Sequence, residues 1–371
     1  MDMEQRLDAV VTAAIAERRI VGAVLLVHQD GRPLYEKAHG LADREAGRAM
    51  TCDTIFRFSS LTKPLVAATI LALADAGKLR LDDPVTAHLP DFTPRLADGS
   101  VPVMTIHHLL THTSGLNTGS ILTRDEQAAG VNRWLLDTDT IMARLAGLEL
   151  LFAPGTSWAY GPSTDVLGVV AARLAGGTLQ QAISQYVTGP LRMKDTQFGV
   201  TDPTRLSAAY ADSPDGAVLM GDPHSVTAPW GETVTYDPGR IFDRQAFQSG
   251  GGGAAGTGPD FMRLLDALHD GGGAILRPET VTLGLANHTP QLTQSASPGL
   301  QFSYFGAWVD DPRAAGLPVA RGTNRWGGIY GHNWFFDPEN RLSVVSMSNT
   351  GLEGSDGRYR DDVGNAVYAA L

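Results

Sequence analysis

The sequence predicts a mixed α and β fold, in which both ends of the chain contribute to an antiparallel sheet and the middle is mostly helical. VGAVLLVHQDGRPLYEKAHG, at residues 21–40, has two β-rich runs on either side of Asp30-Gly31, a pattern typical of a hairpin. NWFFDPENRLSVVSMSN, at residues 333–349, predicts a second hairpin that turns at Pro338 to Asn340. Strands at both termini with helical periodicity between them favour a sheet with a helix-rich insertion.

We therefore expect two domains. Residues 1–70 and 226–371 are predicted to form the sheet domain, and residues 71–225 are predicted to form a mainly helical domain. These boundaries are approximate, and part of the helical segment is free to return to the sheet domain. A chain of 371 residues is long enough for two domains of ordinary size.

Several segments have apolar residues at helical spacing. An amphipathic first helix is predicted from Leu7, Val10, Val11, Ala14 and Ile15. Further helices are predicted at residues 60–76, 105–112 and 163–175, ending at or near Gly77, Gly115 and Gly176-Gly177.

In contrast, SGGGGAAGTG at residues 249–258 is a glycine-rich run that leads into another predicted helix. It lacks the Gly-Lys-Ser/Thr ending of a phosphate-binding loop, so it predicts a loop that needs positive φ or close backbone approach.

Charge and composition exclude several functions. A net charge of −11 with scattered arginines leaves no basic face for nucleic acid. No apolar run approaches the ~20 residues that span a bilayer. The single cysteine, Cys52, excludes an intrachain disulfide and a thiolate zinc cage, and so a cytoplasmic location is expected. The sequence does not indicate an oligomeric state.

The segment FRFSSLTKPLVAAT, at residues 56–69, predicts a nucleophile beside a base. The residues after it are apolar almost all round, which is typical of a buried helix, and Pro64 fits only near the start of that helix. Ser60 would then lie at the helix N-terminus, with Lys63 one turn later on the same face. Burial and the helix dipole both favour a neutral amine that can accept the Ser60 proton. Ser-x-x-Lys alone is a common pattern, and an N-cap serine with a surface lysine is the alternative interpretation.

The wider sequence resembles the serine β-lactamase-like superfamily. Five blocks occur in the family's order over nearly the whole chain: FRFSSLTKPLVAATILALADAGKLRLDDPV, TIHHLLTHTSGL, PGTSWAYGPSTDVLG, GPLRMKDTQF and WGGIYGHNWFFDPENRLSVVSMSN. Within the superfamily, the chain looks most like the class C β-lactamase-related carboxylesterases, also called family VIII esterases. The resemblance implies a β-lactamase-like fold, with an antiparallel sheet flanked by helices, a helix-rich domain, and an active site in the cleft between them.

The resemblance also implies roles for individual residues. Ser60 matches the nucleophile, Lys63 the lysine that activates it, and Tyr160 the tyrosine of the second block. A phenol held near a lysine ammonium could pass the proton between Ser60 and the leaving alcohol. Asp165 matches an acid of the esterase group, although a carboxylate at a helix N-terminus often serves only the helix dipole.

The family's Lys-Thr-Gly strand is replaced here by Trp326-Gly327-Gly328. This replacement is typical of the esterase group, and the tripeptide is expected to line the substrate. The N–H of Ile329 would complete an oxyanion hole with the N–H of Ser60. His332 follows the strand and is expected near the site, with a structural role favoured.

Histidines also raise the possibility of a metal site, because His108 and His112 would share a helix face with His107 nearby. No His-Glu-x-x-His pattern accompanies them, and HHLLTHTSGL is a landmark of the family that looks structural. We therefore predict no metal and no cofactor.

Together these features predict a serine carboxylesterase that hydrolyses short-chain neutral esters through an acyl-Ser60 intermediate. An acyltransferase with the same acyl-enzyme is an alternative, as is a β-lactamase or D-amino peptidase. The loss of the Lys-Thr-Gly strand and of an amide side chain in Tyr160-Gly161-Pro162 argues against the latter two. A binding module on an inactive scaffold is disfavoured because Ser60, Lys63 and Tyr160 are all present. The expected partner is a small ester, and the Gly-x-Ser-x-Gly elbow of α/β-hydrolases is absent.

Overall fold

An eight-stranded antiparallel sheet runs through the molecule. The computed structural model describes residues 1–117, 121–292 and 297–371. Within them the sheet order is β10-β11-β12-β13-β14-β1-β2-β3, so the N-terminal strand β1 pairs directly with the C-terminal strand β14. The predicted antiparallel sheet from both ends of the chain is confirmed. Its strands are β1 (Gly22–Gln29), β2 (Arg32–Asp43), β3 (Arg48–Ala49), β10 (Leu300–Phe302), β11 (Ala307–Val309), β12 (Asn324–Gly328), β13 (His332–Asp337) and β14 (Leu342–Ser348).

Three two-stranded sheets accompany the large one. They pair β4 with β9, β5 with β6, and β7 with β8. In the β4–β9 pair, β4 ends at Arg57 and leads directly into the segment that contains Ser60. The strands are β4 (Ile55–Arg57), β5 (Tyr210–Ala211), β6 (Val218–Leu219), β7 (His224–Thr227), β8 (Thr233–Tyr236) and β9 (Ala255–Thr257).

Helices cover both faces of the large sheet and fill the middle of the chain. They are α1 (Met3–Ala16), α2 (Thr62–Asp75), α3 (Ile106–Leu110), α4 (Arg124–Ala128), α5 (Thr138–Ala146), α6 (Ser163–Ala175), α7 (Leu179–Ile183), α8 (Gly258–His269), α9 (Pro278–Leu285), α10 (Gly351–Asp356) and α11 (Arg358–Tyr368). A π-helical turn, Ser184–Thr188, follows α7, and short 3-10 turns link other elements.

Side-chain alternation along β1 supplies two hydrophobic cores. Leu25 and Val27 pack with Leu7 of α1 and Val363 of α11 on one face of the sheet. The larger core lies on the other face, where β1 contributes Val24 and Leu26, and it also contains the apolar side chains of α2, α6 and α8. Successive strand residues point to opposite faces, so one strand serves both cores.

Local sequence patterns predicted several of these strands and helices correctly. Both hairpins are confirmed, with Asp30 and Gly31 at φ +52° and +68° in the first turn. The helices predicted at 60–76, 105–112 and 163–175 are confirmed as α2 with its preceding turn, α3 and α6. α1 is amphipathic as predicted and buries Leu7, Val11 and Ala14.

The glycine-rich run is explained by close backbone approach. A Cβ on Gly250 would lie 2.3 Å from the carbonyl oxygen of Thr164, at the start of α6. None of the glycines at 250–253 has positive φ. Of the two explanations predicted for the run, positive φ and close backbone approach, the second therefore applies. The small size of these glycines lets residues 249–253 pack against α6.

The domain boundaries at residues 70 and 225 stay predictions. The first of them falls inside α2, which is one continuous helix.

Cys52 is a free thiol. No single helix among the described residues is both long and apolar enough to cross a membrane. The pair formed by α6 and Leu179–Thr188 meets the length and composition criteria only when the two are taken together, and the angle between them is 75°.

Candidate active site

A tight turn positions Ser60 at the start of α2. Ser59 and Ser60 belong to a 3-10 turn, Ser59–Leu61, which continues into the helix. Ser59 has φ +47°, in the left-handed region that non-glycine residues rarely adopt, and the N–H of Leu61 donates to the carbonyl of Phe58 at 3.1 Å. Strained backbone of this kind persists where the surroundings hold it, and it often marks functional sites.

The hydroxyl of Ser60 contacts two polar groups that could move a proton. Lys63 Nζ donates to Ser60 Oγ at 3.1 Å, and Tyr160 OH lies 2.8 Å from the same oxygen. Lys63 Nζ also lies 4.6 Å from the centre of the Tyr160 ring. The structure thus brings together the three side chains that the sequence selected from segments 100 residues apart.

Lys63 is held by a second acceptor. Its Nζ donates to the carbonyl of Gly251 at 2.6 Å. The Gly251 N–H donates in turn to Asp165 Oδ1 at 3.0 Å, and the Ser249 hydroxyl donates to the same oxygen at 2.5 Å. Asp165, in the first turn of α6, therefore fixes the loop that positions Lys63, and it does so without contacting Ser60.

Aromatic rings surround Tyr160. Its ring centre lies 4.9 Å from that of His112 and 5.1 Å from that of Trp326. The indole N–H of Trp326, which can only donate, is 3.3 Å from Tyr160 OH. The Tyr160 oxygen therefore accepts from Trp326, and in its hydrogen bond with Ser60 Oγ either oxygen can be the donor.

Strand β12 approaches the turn that contains Ser60 closely. A Cβ on Gly328 would lie 2.4 Å from the carbonyl oxygen of Phe58, so only glycine fits there without movement. The next residue, Ile329, accepts a hydrogen bond from Tyr236 OH at 3.1 Å through its carbonyl. No described residue accepts a hydrogen bond from the N–H of Ser60 or of Ile329, which leaves both donors available.

His332 lies behind this strand and is buried. Its Nε2–H donates to the carbonyl of Arg57 at 2.8 Å, which ties β13 to the strand that precedes Ser60. Burial lowers the pKa of His332 to about 4. It is therefore neutral at pH 7 and holds the backbone of β4.

The other histidines of the sequence analysis make different hydrogen bonds, although the rings of His107 and His108 contact each other edge to face with centres 5.9 Å apart. His107 Nδ1 lies 2.8 Å from Tyr304 OH, and His108 Nδ1 accepts from the N–H of Thr105 as part of a helix cap. Burial and, to a smaller extent, the Lys63 ammonium lower the pKa of His112 to about 3. Within the described ranges, no group of three or more His, Cys, Asp or Glu residues is placed to hold a metal ion.

A cavity of about 430 Å³ opens beside these groups and is lined by Lys63, Tyr160, Asp165 and Ile329. Trp326 and His112 line a second, much smaller cavity that Lys63 also borders. The Trp326 ring packs against Tyr160, with the two ring centres 5.1 Å apart. The main cavity has other polar and aromatic lining residues that sequence reasoning missed, among them Arg57, Arg133, Trp134, Tyr236, Asp237 and Arg240.

Among these, only Arg57 had a local signal, because it stands three residues before Ser60 in the block FRFSS. The others come from segments far from any motif.

Comparisons with known proteins agree with the fold. The family model described as Beta-lactamase matches residues 7–369. Esterase EstB from Burkholderia gladioli is 44% identical over 373 residues, which cover 98% of this chain and 95% of that relative.

Two solved structures extend this similarity. The structure described as EstCE1, a hydrolase with promiscuous acyltransferase activity, superposes with a TM-score of 0.91 at 37% identity and covers 98% of both chains. Simvastatin synthase LovD from Aspergillus terreus has a TM-score of 0.77 at 22% identity, over 100% of this chain and 98% of that one. The LovD similarity concerns the fold alone.

Proposed function

The chain belongs to the beta-lactamase family, and within that family we propose that it is a serine carboxylesterase that forms an acyl-Ser60 intermediate. The 44% identity to a named esterase over nearly the full length of both chains supports ester hydrolysis. The structural similarity to EstCE1, described as a hydrolase, supports the same chemistry. The residue roles below are our proposal and follow from the geometry of the site.

In the first step, Ser60 Oγ bonds to the ester carbonyl carbon and loses its proton to the Lys63–Tyr160 pair. The carbonyl oxygen becomes an oxyanion, which accepts hydrogen bonds from the N–H groups of Ser60 and Ile329. Tyr160 then gives a proton to the leaving alcohol as the carbon–oxygen bond breaks. This leaves an acyl group on Ser60.

In the second step, water attacks the acyl carbon and gives its proton to the same pair. The bond to Ser60 breaks, its oxygen regains a proton, and the carboxylic acid leaves. Lys63 keeps its position through Gly251, and Asp165 acts as a positioning residue through the same loop. The sequence of steps needs these side chains and water, and it needs no cofactor.

The observation that carries the proposal is the placement of Ser60 Oγ within hydrogen-bond distance of both Lys63 Nζ and Tyr160 OH. Ser60→Ala should therefore abolish hydrolysis of p-nitrophenyl acetate. Ser100→Ala, on an exposed loop, is the matched control and should behave as the wild type. An active Ser60→Ala protein would rule out this mechanism.

Short-chain neutral esters are the proposed substrate class. The site end of β12 offers Trp326 and glycine where a β-lactamase offers a lysine and a threonine, so this strand supplies no cation to a substrate carboxylate. Arg325, the adjacent residue, alternates to the other face of the strand and lies near the charges of α11. Neutral esters avoid the cost of burying an unpaired carboxylate there.

Acyl transfer is the second candidate, since the printed description of EstCE1 includes promiscuous acyltransferase activity. The same acyl-enzyme would react with an alcohol in place of water. An ester panel of graded acyl length, assayed with and without added alcohol, separates the two activities. Appearance of the new ester at the expense of free acid would establish transfer.

The proposed partner is a small-molecule ester, with no nucleic acid. A cytoplasmic location is also proposed, and the single cysteine supports it because Cys52 is a free thiol.

A further inference from the structure

We propose that the cavity beside Ser60 contains an anion subsite formed by Arg57, Arg133 and Arg240, which binds a carboxylate carried by the ester. This inference rests on the proposed esterase function and adds a substrate class to it. The class is esters with a free carboxylate, such as hemi-esters of dicarboxylic acids. We call the three residues the arginine cluster.

The guanidinium groups of the arginine cluster have donors to spare. Arg57 uses Nε and Nη1 to donate to the carbonyls of Pro238 and Ser207, at 2.8 and 2.9 Å. Arg240 uses Nη2 to donate to the carbonyl of Phe247 at 2.9 Å. Each guanidinium carries five N–H donors, and all three side chains line the cavity, so several donors can reach a ligand.

No described carboxylate forms a salt bridge within 4.0 Å with Arg57, Arg133 or Arg240, although the charges of Asp165 and Asp237 lie near enough to favour the charged form of Arg240. The acidic residues of the cavity have other partners: Asp165 accepts from Gly251 and Ser249, Asp237 accepts from the Trp134 indole at 3.0 Å, and Asp243 accepts from the N–H of Gln245 at 2.8 Å. Burial lowers the pKa of Arg240 to about 10, which still leaves it charged at pH 7. Arg240 is partly buried and has no carboxylate in direct contact, so an anionic ligand would offset part of the cost of burying its charge.

Trp134 holds two of the arginines in place. The guanidinium carbon of Arg240 lies 3.7 Å from the Trp134 ring centre, and that of Arg133 lies 4.3 Å from it. The indole is itself anchored to Asp237. A planar guanidinium fixed in this way can bind both oxygens of a carboxylate with little further loss of side-chain freedom.

The arginine cluster extends the range of substrates to esters with a carboxylate, and small neutral esters are still substrates. A short acyl group can react at Ser60 without reaching the guanidinium groups, whereas a longer ester with a terminal carboxylate can contact both. The carboxylate can belong to the acyl part or to the alcohol part of the ester. Two pairs of compounds distinguish these cases.

The test compares kcat/KM for each charged ester with that for its neutral counterpart. Monoethyl adipate and ethyl hexanoate form the acyl-side pair, and 4-acetoxybenzoate and its methyl ester form the alcohol-side pair. In Arg240→Gln, the charged-to-neutral ratio should fall at least tenfold in one pair, mainly through KM. Arg313→Gln, which changes an exposed arginine outside the cavity, is the matched control and should keep both ratios.

Unchanged ratios in Arg240→Gln for both pairs, with neutral esters still hydrolysed, would overturn the subsite and leave the esterase function intact. Hydrolysis of none of the four esters by the wild type would instead overturn the esterase function. If the variant fails to fold, inhibition of the wild type decides. Hexanoate should then inhibit p-nitrophenyl acetate hydrolysis competitively and at least tenfold more tightly than hexanamide, and equal inhibition would overturn the subsite.

Discussion

At the scale of single residues, Lys63 is fixed by contacts on either side of its amine. One acceptor is Ser60, the proposed nucleophile, and the other is the carbonyl of Gly251, whose N–H donates to Asp165. The lysine can therefore exchange a proton with Ser60 without moving away. Tyr160, with the Trp326 indole as its donor, completes a relay in which each oxygen has a defined partner.

Loss of either member of this relay should remove most of the turnover. Lys63→Ala should lower kcat at least ~10³-fold, because general acid–base assistance is typically worth 10²–10⁴-fold. Tyr160→Phe should fall in the same range, and the double variant should be little worse than either single variant, since both serve one proton transfer. Steady-state kinetics on p-nitrophenyl acetate provides the measurement. Additive losses would show that the two side chains do separate jobs.

A second residue-scale prediction concerns stability in acid. A free histidine has a pKa of about 6.5, whereas burial lowers that of His332 to about 4 in the folded protein. The unfolded chain therefore takes up this proton first as the pH falls below about 6.5, and stability is lost down to the folded pKa. His332→Gln, which can still donate to Arg57, should make the slope of unfolding free energy between pH 6 and 4.5 shallower by about 1.4 kcal/mol per pH unit.

Urea unfolding at several pH values measures that slope. The other histidines whose pKa is lowered are present in both proteins, so their contributions cancel in the comparison: His39, His107, His108, His112 and His288. An identical slope in the variant would contradict the neutral state of His332.

At the scale of secondary-structure elements, the site depends on how β12 meets the turn before α2. Gly328 lets the strand approach the Phe58 carbonyl, and this approach sets the distance between the Ile329 N–H and Ser60. The close approach of Gly250 to α6 similarly sets the loop that holds Lys63.

Gly328→Ala should therefore impair catalysis. Its Cβ would lie 2.4 Å from the Phe58 oxygen, so the strand or the turn must shift, and a misplacement of about 1 Å can cost on the order of 10²-fold in rate. Gly364→Ala in α11 is the control, because its nearest neighbour is Pro318 at 3.9 Å, and it should retain wild-type kcat/KM. Kinetics with circular dichroism on both variants checks this, and wild-type activity in Gly328→Ala would refute the packing argument.

Sequence patterns predicted the secondary-structure elements better than they predicted the side chains that surround the site. Asp30-Gly31 fixes a hairpin turn, and the all-apolar α2 indicates burial, because these signals are local. Ser60, Lys63 and Tyr160 could be selected because their segments match known motifs. Arg240 could not, because its position depends on the packing of residues 235–253 against α6 and β4, and the glycine-rich run predicted a close backbone approach without indicating that the Gly251 carbonyl accepts from Lys63. Trp326 was selected, but its orientation towards Tyr160 depends on ring packing that the sequence does not encode locally.

At the scale of the whole molecule, the site draws on four distant segments. The nucleophile turn, the start of α6, the 249–251 loop and the end of β12 all meet beside one cavity. The pairing of β1 with β14 joins the two ends of the chain in the sheet behind them.

The combined site should prefer neutral esters to β-lactams. The carboxylate of a penicillin or cephalosporin is attached to the ring fused to the lactam, so it stays close to the reacting carbonyl, where β12 supplies no cation. Its unpaired burial costs on the order of 1–3 kcal/mol. We expect kcat/KM for p-nitrophenyl acetate and butyrate to exceed that for these β-lactams at least about 10²-fold, which corresponds to the upper end of that range at about 1.4 kcal/mol per factor of ten. A cephalosporin with an acetyl ester should release acetate before its ring opens, and faster loss of lactam absorbance would contradict this.

Covalent labelling of the nucleophile tests the central claim most directly. The wild-type protein is incubated with an organophosphate such as diethyl p-nitrophenyl phosphate, and its intact mass and peptide map are then measured. We predict one added diethylphosphoryl group, located on Ser60, with loss of esterase activity in proportion to labelling. A label on another residue, or full inactivation with Ser60 unmodified, would contradict the acyl-Ser60 mechanism.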